Sequence, residues 1–159
     1  MAGILLAMRG SGRLTVALVL AGALLAGSSA QAADLTLAEP GGASVRWTEW
    51  IASHGPAAVL VWASWAPDGR DLVTEVAGLA AAARSKQLEL VVVSVQESED
   101  AAARELGSLN IRWLHDRHGA ILKEYRIIRV PALVVIDRDA TVVARLEPTE
   151  RALRAWGGS

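Results

Sequence analysis

The stretch Trp62-Ala63-Ser64-Trp65-Ala66-Pro67-Asp68-Gly69-Arg70 decides how this 159-residue chain is read. On its N-terminal side, Ala57 to Ser64 is the continuous apolar run AAVLVWAS. Such a run suits a strand buried on both faces, in the middle of a mostly parallel sheet. On its C-terminal side, Leu72, Val73, Val76, Leu79, Ala80 and Ala83 recur at spacings of three and four. They form one stripe of an amphipathic helix running to about Lys86. A strand-to-helix junction points free backbone N–H groups at whatever sits there, which makes it a common place for a site.

Outward from the junction, Leu88 to Val95 (LELVVVSV) reads as a second central strand. Ser98 is placed to cap a helix that ends near Gly107. Ile111 to Leu114 is a short extended piece, His115 to Gly119 a solvated turn, and Ala120 to Tyr125 a short helix. Ala132 to Ile136 and Thr141 to Leu146 flank the tight turn Asp137-Arg138-Asp139-Ala140 and read as paired strands. Pro148-Thr149-Glu150 opens a last helix through Trp156. Toward the N-terminus, Ser44 to Trp47 suits an edge strand. Thr48 is a plausible cap for one helical turn through Ile51, and Gly55-Pro56 ends it. Trp47 and Trp50, three apart, are expected to pack on one side. Two helix-separated strands, then a hairpin and a helix, fit an α/β fold with a central mixed sheet and helices on both faces.

The first residues read differently. Arg9 and Arg13 precede the apolar run Leu14 to Ala26, and Ala30-Gln31-Ala32 fits a small-residue cleavage site. The expected organisation is a signal peptide over 1–32, a polar leader over 33–43 and one domain over 44–159, with export to the periplasm. The apolar run is shorter than the ~20 residues a spanning helix needs, so contact with a membrane is expected only if the segment stays uncleaved. The net charge is −1, with 16 basic and 17 acidic residues, which gives no support for nucleic-acid binding.

WASWAPDGR resembles the WATWCPPCR stretch of periplasmic thioredoxin-like proteins of the TlpA/ResA type. Three further segments resemble that family in order. Leu114-His115-Asp116-Arg117-His118-Gly119 is similar to its LLDxxG, and Tyr125-Arg126-Ile127-Ile128-Arg129-Val130-Pro131-Ala132 to its YGVxGVPT. Ile136-Asp137-Arg138-Asp139-Ala140-Thr141-Val142-Val143 is similar to its IDRDGxIV. The resemblance implies a thioredoxin-like fold over roughly Val45 to Trp156 and a cis Val130–Pro131 bond beside the first-cysteine position. It also implies a groove where the residue before that proline offers backbone hydrogen bonds to an extended peptide. By the same resemblance the partner is a protein or peptide, such as an envelope protein or cytochrome under maturation. A structural turn with no ligand is the competing expectation for the same segment.

The chain departs from the family at the chemistry. Ala66 and Gly69 stand where the family has its two active-site cysteines, and the chain has none anywhere. Thiol–disulfide exchange needs an attacking thiolate and a resolving thiol, so no catalytic residue of the family kind is expected. Peroxiredoxin-type peroxidase chemistry fails for the same reason. Leu72 occupies the position of the family's glutamate. The expected contact surface is Trp65, Ala66, Pro67, Asp68, Gly69, Val130 and Pro131, with Trp65 partly exposed and Trp62 packed in the sheet. Asp68 is expected in the first helical turn, interacting with the helix dipole. His115 and His118 with Asp116 between them make a weak metal signal; no metal and no cofactor is expected. The alternatives are an enzyme of another class using Asp68, His115 or Glu75, an oxidoreductase by family similarity, and a purely structural subunit.

Overall fold

A computed structural model describes residues 35–158. The expected signal peptide and its cut after Ala32 lie outside the described residues. The elements in chain order are β1 (Thr36–Ala38), β2 (Ser44–Arg46), α1 (Trp47–His54), β3 (Ala57–Trp62), α2 (Gly69–Ser85) and β4 (Glu89–Val95). They continue with α3 (Glu99–Leu106), β5 (Arg112–Asp116), α4 (Ala120–Glu124), β6 (Ala132–Ile136), β7 (Val142–Leu146) and α5 (Glu150–Ala155). The strands form one seven-stranded sheet in the order β2-β1-β5-β4-β3-β6-β7. β3, β4 and β5 run parallel, β6 pairs antiparallel with β3, and β7 pairs antiparallel with β6 at the sheet edge.

Strand alternation divides the core in two. On one face Ala57, Val59 and Val61 of β3 pack with Trp47, Trp50 and Ile51 of α1 and Ile121 of α4. On the other, Ala58, Leu60 and Trp62 pack with Leu72, Val76 and Leu79 of α2, Leu106 of α3 and Leu153 of α5. All six residues of β3 are buried, as a central strand covered on both faces must be. The same alternation carries past the start of β6. Val130, Ala132 and Val134 belong to the α1/α4 side, and Leu133 and Val135 to the α2/α5 side.

Four local expectations are corrected. The leader is not all loop, since it holds β1, which pairs antiparallel with β2 and β5 through Leu37↔Val45 and Ala38↔His115. Arg46, not Thr48, precedes α1, and no side chain caps that helix. β5 extends through His115 and Asp116, both buried, so these are not part of a solvated turn. The Asp116 carboxylate is satisfied there because Oδ2 accepts the Ile121 N–H, 2.8 Å away, at the start of α4. Asp68 adopts a left-handed conformation (φ 60°, ψ 3°) just before α2, and its side chain makes no capping hydrogen bond. It therefore precedes the first turn instead of lying in it.

Other expectations meet their contacts directly. Ser98 Oγ accepts the Ala101 N–H at the start of α3. The Trp47 and Trp50 rings stack at 5.5 Å, and both are buried. Tyr125, the sole tyrosine, ties three elements together. Its hydroxyl accepts from Trp47 Nε1 at 2.6 Å and donates to the Ala140 carbonyl at 3.0 Å. Burial pushes its pKa up to about 12.

Candidate functional site

β3 ends at Trp62, and residues 63–68 form the junction before α2. Trp62 Nε1 donates to the Gly69 carbonyl at 2.6 Å, so the indole inside the sheet holds the first turn of α2. Gly69 N–H donates to the Ala66 carbonyl at 3.0 Å. A Cβ at Gly69 would lie under 3.0 Å from the Ala63 carbonyl oxygen, a distance real Cβ atoms do not show. The position therefore has no room for a side chain in this backbone. That observation reaches beyond the composition: a thiol side chain placed at Gly69 would meet the Ala63 carbonyl.

On the far side of the junction, Glu97 follows β4 and was not singled out by sequence reasoning. Its carboxylate accepts from the Ser64 N–H at 3.2 and 3.3 Å and from Ser94 Oγ at 2.8 Å, and it bonds Ser64 Oγ as well. One half-buried side chain thus fixes the end of β3 to the end of β4. The only sequence signal was one of three acids around the Ser98 cap, Glu97, Glu99 and Asp100, which together read as surface.

The Val130–Pro131 peptide bond is cis. Five of the seven expected contact residues line two clefts at this segment, while the buried Ala66 and Gly69 line neither. A cleft of about 280 Å³ joins Trp65 and Pro67 to Leu122, Ile127, Ile128 and Val130. A second, of about 450 Å³, joins Asp68 and Leu72 to Asp71, Glu75, Arg129, Pro131 and the start of α5 at Glu147 to Thr149. Trp65 is 54% exposed and Ile128 fully so, whereas Ala66, Leu72 and Val130 keep only 7–8% of their surface. Of the contact surface expected from the sequence, Ala66 and Val130 thus offer little area to solvent. Trp65 and Pro67 present apolar surface, the unforeseen Ile128 joins them, and carboxylates line the α2 side. Ile128 was legible only as an apolar residue between arginines in a loop.

His115 is apart from this site. It is buried in β5 with Nδ1 lacking a hydrogen-bond partner, while His118 is exposed beyond the strand end. Among the described residues no group of three or more His, Asp or Glu side chains is arranged to hold a metal ion. Among the same residues no helix is long and apolar enough to cross a membrane.

A βαβ unit, an antiparallel hairpin and a cis-proline beside a strand-to-helix junction define a thioredoxin-like domain. Residues 29–145 match the AhpC/TSA family, and the chain belongs to that family. It is similar in fold to a secreted Mycobacterium tuberculosis disulfide oxidoreductase homologous to E. coli DsbE. There the identity is 21% and the TM-score 0.58, with 76% of this chain and 93% of that one covered. It is also similar to thioredoxin from Wuchereria bancrofti at 21% identity and TM-score 0.56, covering 74% of this chain and 85% of that one. A thiol:disulfide interchange protein from Bacteroides sp. matches at 18% identity and TM-score 0.57, with 74% and 80% covered. No curated protein sequence matches the chain.

Proposed function

We propose that this chain is a thioredoxin-like domain without thiol chemistry that binds an extended protein or peptide segment. The contact face is Trp65, Ala66, Pro67, Asp68, Gly69, Val130 and Pro131, with Ile128 added. One observation carries the reading: a half-exposed tryptophan and a fully exposed isoleucine line one cleft with Val130, immediately before the cis-proline. Large apolar side chains left in water beside a backbone segment suit a partner chain laid along that segment. Tryptophan is also the residue type most often found to dominate such contacts. Thiol exchange is unavailable because the chain holds no cysteine, and Gly69 has no space for one.

The finer assignments follow the same reading. The TlpA/ResA-like spelling and the charged-then-apolar N-terminus support export to the periplasm and a role in envelope protein or cytochrome maturation. A reaction shared by Asp68 and His115 has less support, since Asp68 lines the acidic cleft and His115 is buried in β5.

The test is crosslinking capture of envelope proteins by wild type and by Trp65→Ala. Capture that falls with the substitution supports the groove; equal capture by both removes it. Turnover of insulin disulfides by pure protein would overturn the claim that thiol chemistry is gone.

A further inference from the structure

The two clefts flank one short piece of backbone from opposite faces of the sheet. Leu122, Ile127 and Val130 of the smaller cleft belong to the core on the α1/α4 side. Leu72 of the larger cleft belongs to the core on the α2/α5 side. Arg129 lines both, so Val130 and Pro131 form the ridge between them.

Their chemistry is opposite. The smaller cleft is mainly apolar, walled by Trp65, Pro67, Leu122, Ile127 and Ile128, with Gln96 its one uncharged polar side chain beside the shared Arg129. The larger sets Asp68, Asp71, Glu75 and Glu147 against the single guanidinium of Arg129. Asp71 and Glu75 are four apart on α2, hence on one side of the helix. None of the four carboxylates is in an ion pair among the described residues, whereas Arg70 turns away to Glu105. Four exposed carboxylates around one cleft attract a cationic group and repel an anionic one.

We infer that the segment bound at this face carries a large apolar residue directly beside a lysine or arginine, the two side chains dividing between the two clefts. The inference rests on the groove reading above. A chain added as a strand along Arg129 and Val130 sends successive side chains to opposite faces. A residue that fills the Trp65/Ile128 cleft therefore has its immediate neighbours pointing to the acidic side. Residues two apart would both enter the same cleft and cannot satisfy both.

A displayed library of random seven-residue peptides, selected on purified protein at low salt, tests this. Selected peptides are expected to pair a large apolar residue with Lys or Arg at the adjacent position. Resynthesised, a Leu-Lys peptide should bind roughly tenfold tighter than its Leu-Glu counterpart, a gap that closes as salt is raised. The double substitution Asp71→Asn, Glu75→Gln, which leaves Asp68 and Glu147 against Arg129, should shrink the basic preference severalfold and keep the apolar one. Selection of apolar residues without a basic neighbour, or with the basic residue two positions away, overturns the inference and leaves the groove standing. Failure to select any peptide overturns both.

Discussion

Two glycines of α2 offer a paired test of how tightly the junction is built. At Gly69 an added Cβ would lie under 3.0 Å from the backbone carbonyl oxygen of Ala63, which cannot swing aside without moving the end of β3. At Gly78 the added Cβ would also come under 3.0 Å from an atom, but there it is Oε2 of Glu150, the far end of a flexible side chain. Forcing a methyl against fixed backbone costs ~1–3 kcal/mol. The entropy removed from the unfolded chain returns about 0.4–1 kcal/mol. Gly69→Ala should therefore lose roughly 0.5–2 kcal/mol, or about 2–8 °C in Tm for a domain of this size. Gly78→Ala gains about 0.5–1 kcal/mol of helix propensity and gives back a few tenths for disturbing the exposed Glu150–Arg154 pair. It should be neutral to slightly stabilising. Thermal and urea melts followed by circular dichroism measure both. A Gly69→Ala protein as stable as wild type, or the reverse order of the two variants, would refute the claim that Gly69 is held against Ala63.

Three further outcomes are expected. Tyr125 should ionise near pH 12 in the folded protein and near pH 10 in denaturant, read without interference because it is the sole tyrosine. Its folded-state pKa is raised, so its contribution is complete below pH 10 and is lost as pH climbs from about 10 to 12, amounting to ~2–3 kcal/mol. Alkaline melts that show no such decline would contradict it. Glu97→Ala strips the Ser64 N–H and two serine hydroxyls of their shared acceptor and should cost about 1–3 kcal/mol in urea unfolding. Trp65→Ser with Ile128→Ser should cost no more than about 1–2 kcal/mol of stability while weakening peptide capture, since Ile128 stands wholly in water and Trp65 half so. A large stability loss would show that they serve the core.

The parts of the fold legible in the sequence are those where one physical signal dominates. β3 and β4 are unbroken apolar runs, α2 carries a clear stripe, and the turn at Asp137 to Ala140 separates two short apolar runs. β1 escaped because three residues with one inward side chain, Leu37, establish no period. His115 and Asp116 read as a turn because they are polar. They are strand residues because Asp116 finds its partner in the backbone of α4, five positions on. At the site, the spelling around Trp62 to Arg70 marked the junction and the half-exposed Trp65. The acidic cleft was hidden because Glu147 comes to lie beside Asp68, Asp71 and Glu75 only through the fold. Glu97 was hidden for the same reason, since one serine partner, Ser64, lies in the junction after β3 and the other, Ser94, lies on β4.

The Trp62 indole bonded to the Gly69 carbonyl bears on any attempt to rebuild a dithiol on this scaffold. Replacing two residues would supply sulfur but not a backbone that accepts it. The tryptophan anchors the opening of the helix where a second thiol must emerge, and the Ala63 carbonyl occupies the space. Installing thiol exchange would mean recasting the loop from Ala63 to Arg70 as one unit, with the indole given a different acceptor. A single substitution in this loop therefore meets fixed backbone, whereas a rebuilt loop could move the Ala63 carbonyl out of the way.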